Sequence, residues 1–91
     1  MIDYTYRATP QYWRSYEKLP QGQKDSAWRA WLIFKKNPFD PRLRTHKIAS
    51  LSARTGRTIY SVWIEPDLRS VFYLDGDVCV SIDIGSHAIY R

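Results

Sequence analysis

The 91-residue sequence has one cysteine, two histidines and four glycines. Each scarcity removes a class of chemistry. The lone Cys79 cannot close an internal disulfide. With the widely separated His46 and His87 it gives no metal-ligand spacing, so no metal and no cofactor are expected. The glycines stand singly, which excludes a glycine-rich phosphate cradle. No serine or cysteine sits in a nucleophile motif. No apolar run is long enough to span a bilayer, and the opening MIDYTYRATP lacks the apolar stretch of a secretion signal. The expectation is a cytoplasmic protein with no membrane partner, and a single cysteine fits a reducing compartment.

What the sequence does have is aromatic area and localised charge. Four Trp, seven Tyr and three Phe supply a large apolar area from few residues, enough for one domain spanning 1–91 to build a core without disulfides. The formal net charge is +5. From Lys35 to Arg57 there are seven basic residues against the single acid Asp40, a net +6. The rest of the chain has seven basic and eight acidic residues, a net −1. Basic charge confined to one segment points to a polyanionic partner, nucleic acid first, with a solvated basic face as the plainer reading.

Hydrophobic periodicity gives the element order β-α-α-β-β-β, an α+β chain with a mostly antiparallel twisted sheet and an N-terminal helical hairpin on one face. Asp3–Ala8 alternates as a first strand. Thr9-Pro10 is a helix start, with Thr as N-cap and Pro at the first helical position. That helix runs to about Leu19 and the next from about Gln21 to Lys36, where two prolines, Pro38 and Pro41, end it. The Tyr and Trp stripes of both helices read as core rather than as base-stacking platforms. Ile48–Ala53 reads as a strand, followed by a turn at Arg54-Thr55-Gly56-Arg57. Three strands close the chain: Tyr60–Ile64, Leu68–Leu74 and Val78–Ile84. Asp75-Gly76 is the hairpin signal between the last two. Val78, Val80, Ile82 and Ile84 form a clean period-2 run. Alternation alone does not say whether Phe72 and Leu74 or Val71 and Tyr73 face the helices.

An antiparallel final hairpin brings Arg69, at the start of one strand, to His87, just past the end of its neighbour, with Tyr90 one turn further on. Those residue types match metal-free RNA scission. That reaction needs a base for the 2′-OH, an acid for the leaving 5′-oxygen and a cation for the crowded phosphate. Histidine suits either proton transfer, arginine supplies a fixed fork for phosphate oxygens, and tyrosine donates a proton or stacks on a base. His46 is a further member of the set. The plainer reading is a structural histidine, a packing tyrosine, and an Arg69 paired with Asp67 or Asp83.

Short motifs run the length of the chain. They are Tyr16-Glu17-Lys18-Leu19-Pro20, Asn37-Pro38, Pro41-Arg42-Leu43-Arg44-Thr45-His46-Lys47-Ile48, Tyr60-Ser61-Val62, Asp67-Leu68-Arg69, and Asp83-Ile84-Gly85-Ser86-His87 with Tyr90. In this order and spacing the sequence resembles the RelE/ParE superfamily of toxins from bacterial type II toxin–antitoxin systems, nearest the RelE-like mRNA interferase branch. The resemblance implies a ribosome-dependent endoribonuclease that cuts mRNA by metal-independent acid–base chemistry and blocks translation. It implies a cognate antitoxin that wraps the toxin, and contact with DNA only through the antitoxin complex. Carried over by motif, Arg69 contacts the scissile phosphate, His87 is general acid or base, and Tyr90 orients or stacks the nucleotide. Arg44, His46, Lys47 and Arg57 bind RNA. Two departures stand out: Lys47 is the one lysine between Arg42 and Arg57, and Ala88 follows His87 where an acid is common in the family. The alternatives are a non-enzymatic ParE-like inhibitor of DNA gyrase and a degraded toxin that retains only antitoxin binding.

Overall fold

The computed structural model describes residues 3–90. In chain order it contains β1 (Thr5–Ala8), α1 (Pro10–Glu17), α2 (Gln21–Phe34), a 3-10 turn (Pro41–Leu43) and β2 (His46–Lys47). There follow α3 (Ala49–Thr55), β3 (Tyr60–Glu65), β4 (Leu68–Asp75), β5 (Val78–Gly85) and a C-terminal 3-10 turn (His87–Tyr90). The strands make one sheet in the order β1-β5-β4-β3-β2, with β1 parallel to β5 and every other pair antiparallel. The architecture is the expected α+β one, enlarged by β2 and α3. No described helix is long and apolar enough to cross a membrane.

Local chemistry explains most boundaries. The Thr9 hydroxyl accepts the Tyr12 N–H at 3.1 Å, capping α1, and donates to the Ile82 carbonyl at 2.9 Å. One side chain thus starts a helix and ties it to β5. Gly76 takes a φ of 60° in the hairpin turn, as Asp-Gly requires. The segment 48–53 is a correction: it is not a strand but most of α3. Its Ala, Leu and Arg favour a helix, and Gly56, at φ 71°, provides the left-handed C-cap that stops it. The Ser52 hydroxyl accepts the Ile59 N–H and donates to the Ile48 carbonyl, fastening α3 to the start of β3.

The face of β4 that meets the helices carries Phe72 and Leu74. Phe72 is fully buried and stands edge-on to Phe34 of α2, with Val62, Leu43 and Cys79 around it. A second cluster joins Ala27, Leu68 and Ile84 to Tyr12, Tyr16 and Leu19. Two expectations change here. First, the run Val78-Val80-Ile82-Ile84 does not keep to one face. The pairing of β4 with β5 slips by one residue between Val71↔Asp83 and Phe72↔Ser81, leaving Ile82 as a bulge. Cys79, Ser81 and Ile84 therefore share a face with Phe72 and Ser70, and Val80 opposes Tyr73 on the other. Second, not all the tryptophans are core. Trp31 packs against Tyr6 and Phe34, but Trp13 and Trp28 are 54% and 59% exposed. Each follows a helical residue that packs inward, and 100° of helical rotation carries it off the buried stripe.

Burial holds three acids protonated. Desolvation pushes Tyr6, Tyr12 and the Cys79 thiol each up to about 12, with Cys79 and Tyr4 adding to the shift of Tyr6 and Tyr16 to that of Tyr12. A folded-state value above the unfolded one contributes stability that is complete below the ordinary range of the group and lost as pH rises through the folded value. Thermal unfolding followed against pH is expected to show stability falling from about pH 9 to about pH 12. Tyr12→Phe should remove part of that decline, and a slope unchanged in the variant would contradict the assignment.

Candidate active site

The second face of the sheet is built by register. Trp63 pairs with Arg69 and Arg69 with Gly85. One row along, His46 pairs with Ser61, Ser61 with Val71, and Val71 with Asp83. The C-terminal turn folds back over these rows. The Tyr90 hydroxyl meets the Ser61 hydroxyl, and the Tyr90 carbonyl accepts from Arg54 Nη2 of α3 at 2.9 Å. The His87 ring stands edge-on to Tyr90 at 5.6 Å.

Arg69 is the buried centre of this face, 9% exposed. Its Nη1 donates to the carbonyls of Glu65 at 2.6 Å, Leu68 at 3.1 Å and Pro66 at 3.3 Å, so the β3–β4 turn grips one side of the guanidinium. Its Nη2 lies 3.4 Å from His87 Nε2. Arginine has no acceptor, so in this contact Nε2 is the acceptor and the imidazole carries its proton on Nδ1. No carboxylate pairs with Arg69 among the described residues. Asp83 instead accepts the Ile84 N–H at 2.8 Å, serving the bulge. A buried cation met by carbonyl dipoles and an imidazole nitrogen rather than by a carboxylate leaves its charge available to an anion.

The other sequence candidates divide. Arg44 comes to the same face, its guanidinium 4.5 Å from the Trp63 ring, while that of Arg69 is 5.9 Å from the same ring. Arg44 adopts φ 48°, the one left-handed non-glycine among the described residues, at a backbone cost on the order of 1–3 kcal/mol. His46, an exposed residue, shares the face, one strand out from Ser61, with Nδ1 on the Arg44 carbonyl at 2.9 Å. Lys47 is opposite Tyr60 and so points to the other face, as successive strand residues must. Arg57 lies over Tyr73 at 4.4 Å, toward the far end of β4. Trp63, Ser61 and Arg54 were missed in the sequence. The signal for Trp63 was available: Tyr60, Val62 and Ile64 form one stripe of β3, which leaves a large aromatic on the opposite side beside Arg69. Among the described residues no three His, Cys, Asp or Glu side chains gather as a metal set.

No family model and no curated protein sequence matches the chain. Solved structures do. The RelE protein of the RelE–RelB complex from Pyrococcus horikoshii superposes with a TM-score of 0.71 at 15% identity, over 93% of this chain and 96% of that one. YafQ in the E. coli DinJ–YafQ toxin–antitoxin complex gives 0.72 at 17%, over 97% of both. A toxin from Helicobacter pylori gives 0.70 at 21%, over 98% of both. The chain has the RelE/YafQ-like toxin fold. The likeness read from the sequence motifs thus holds at the level of fold, and in that fold the grouping of Arg69, His87 and Tyr90 is a property of this chain's own register.

Gly85 is the tight point of the arrangement. A Cβ there would stand 2.9 Å from Ile89 Cγ2, closer than side-chain packing allows. Gly85→Ala is expected to push the C-terminal turn off the sheet while leaving the helix-side core intact. The expected signature is loss of protection of the Ile89 amide, which now donates to the Ser86 carbonyl at 3.1 Å, with a stability change of only about 1 kcal/mol. Hydrogen exchange on the variant checks it, and an unaltered pattern in residues 86–90 would refute the packing argument.

Proposed function

We propose that this protein is the toxin of a type II toxin–antitoxin module and acts as a metal-independent endoribonuclease on mRNA at the ribosome. The observation that carries the reading is the carbonyl-gripped Arg69 with His87 Nε2 at 3.4 Å and no carboxylate between them. A scissile phosphate placed at the outer side of Arg69 would meet a permanently charged fork on one side and, on the other, the imidazole whose Nε2 lone pair it frees by drawing the Arg69 Nη2 N–H to its own oxygens. In that pose Nε2 takes the proton of the 2′-OH, and the 2′-oxygen attacks the phosphorus. Arg69 carries the charge that builds on the non-bridging oxygens, and the 5′-oxygen leaves with a proton. His46 is the nearest second imidazole on the face and is the group we assign to that proton. Tyr90, its hydroxyl engaged by Ser61, is a positioning residue that fixes the His87 ring by its edge. The exposed arginines and the net +6 segment steer the polyanion.

The partner that silences such a site is a cognate antitoxin covering this face. RelE and YafQ are each seen in complex with a partner protein, RelB and DinJ. An acidic antitoxin segment complements the basic loop, and DNA is reached only through that complex. Gyrase inhibition by binding would need no acid–base group beside a buried cation, and no observation here favours it.

Induced expression in a bacterial host, with 5′-end mapping of transcripts, tests the reading. The native chain should cut translated mRNA. His87→Gln, at an exposed position, should lower cutting by about 10²–10⁴-fold with no loss of soluble protein. Arg69→Lys keeps the charge but not the fork and should lower it by about 10²-fold or more. Toxicity without cuts, unchanged in either variant, would replace this reading with a binding one.

A further inference from the structure

Trp63 is the strongest feature of the second face that the reaction does not use. Its indole is half-buried, lies across the strand from Arg69, and has the Arg44 guanidinium 4.5 Å from its ring centre. It also walls a cavity of about 200 Å³ between α2 and the Pro41–Leu43 turn, lined further by Ala30, Ile33 and Leu43. Arg44 is held in place from behind. Its N–H donates to the Pro41 carbonyl at 3.1 Å, its own carbonyl serves His46, and its backbone takes the left-handed conformation that glycine would fill without strain. Its side chain has no salt bridge or hydrogen bond among the described residues, so the contact with Trp63 is what localises it. An exposed arginine whose head rests only on a half-buried aromatic is easily displaced. A nucleobase stacks on an indole more strongly than a solvated guanidinium does.

We infer that Trp63 is the stacking platform for the base of the nucleotide next to the scissile phosphate, with Arg44 as a gate that leaves the indole and pairs with that nucleotide's phosphate. The choice of RNA as ligand rests on the nuclease reading. The spacing fits one nucleotide step. Arg69 and Trp63 are cross-strand neighbours, with the guanidinium 5.9 Å from the ring, so a phosphate on one and a base on the other belong to adjoining residues of one strand. Stacking is tolerant of sequence but stronger for the larger rings, so the platform gives a purine preference at one position beside the cut rather than a fixed recognition sequence.

Two measurements test this. The first is binding of 2′-O-methyl RNA octamers, which cannot be cut by 2′-OH attack, read by fluorescence anisotropy. Purine octamers should bind more tightly than pyrimidine ones. Trp63→Leu should weaken purine binding by about 10-fold and abolish the discrimination. Trp63→Phe should keep both within about threefold. Arg44→Gly should weaken binding while melting no lower than the native chain, because it relieves the left-handed strain. That combination is not expected of a merely structural arginine. The second is the base composition at mapped cuts in cells: Trp63→Leu should flatten the preference at one flanking position among the cuts that remain. Octamer affinity and cut-site preference both unchanged in Trp63→Leu would overturn the inference and leave the nuclease reading standing. Absence of octamer binding by the native chain, with unchanged cut-site preference in the variant, would also overturn it. Purine binding that depends on Trp63 in a chain that makes no cuts would uphold the platform and remove the nuclease.

Discussion

The register of β4 against β5 changes by one residue at Ile82, and the two faces of the sheet are assigned by that change. Without it, continued pairing from Phe72↔Ser81 would set Ile84 opposite Arg69. With it, Gly85 stands there, and Ile84 turns inward beside Leu68 and Ala27. The bulge therefore serves both sides at once. It fills the helix-side core with one more isoleucine and clears room on the other face for a guanidinium and a returning chain. Its exposed polar groups are met by the Thr9 hydroxyl on the Ile82 carbonyl and by the Asp83 carboxylate on the Ile84 N–H. A helix cap and an acid thus stabilise a sheet defect that sequence alternation alone would not permit.

That defect marks where sequence reading stops. Strand and helix identities follow from period and capping, which act locally: Thr9-Pro10, Asp75-Gly76 and Pro38 each fix a boundary by their own backbone chemistry. The meeting of Arg69 with His87 is also legible, because a hairpin with a known turn implies which ends adjoin. A bulge is not local in this sense. It depends on whether Ile84 gains more from Leu68 and Ala27 than the ladder loses at Ile82, a comparison across three elements. The same limit explains Lys47 and His46, adjacent in sequence and similar in charge, but placed on opposite faces by a two-residue edge strand. For α3, alternating small residues imitate a strand. The stronger signal is Gly56, whose left-handed cap ends a helix.

The electrostatics of the candidate site reverse the usual order. Arg42, exposed, has a carboxylate partner in Asp40, whose pKa it lowers by hydrogen bonding. Arg69, buried, has none among the described residues. Taking a cation out of water costs several kcal/mol, and pairing it with a carboxylate would be the ordinary compensation. Carbonyls compensate without neutralising: three of them at 2.6–3.3 Å accept from Nη1 while the formal charge survives. The β3–β4 turn holds the guanidinium, and a fixed positive charge remains on the face that also carries Arg44.

The order of strands in the sheet has a consequence for the timing of synthesis. β1, made first, has β5 as its strand partner, and β5 is the last strand to be made. α1 packs mainly on β5 as well. A nascent chain that has not yet exposed residues 78–85 therefore has no partner for its own N-terminal strand and no seat for its first helix, and His87 and Tyr90 emerge later still. The fold closes only once β5 is available, by long-range pairings that form slowly. Until residues 78–90 are in place, Arg69 has neither the strand beside it nor the imidazole that meets its guanidinium.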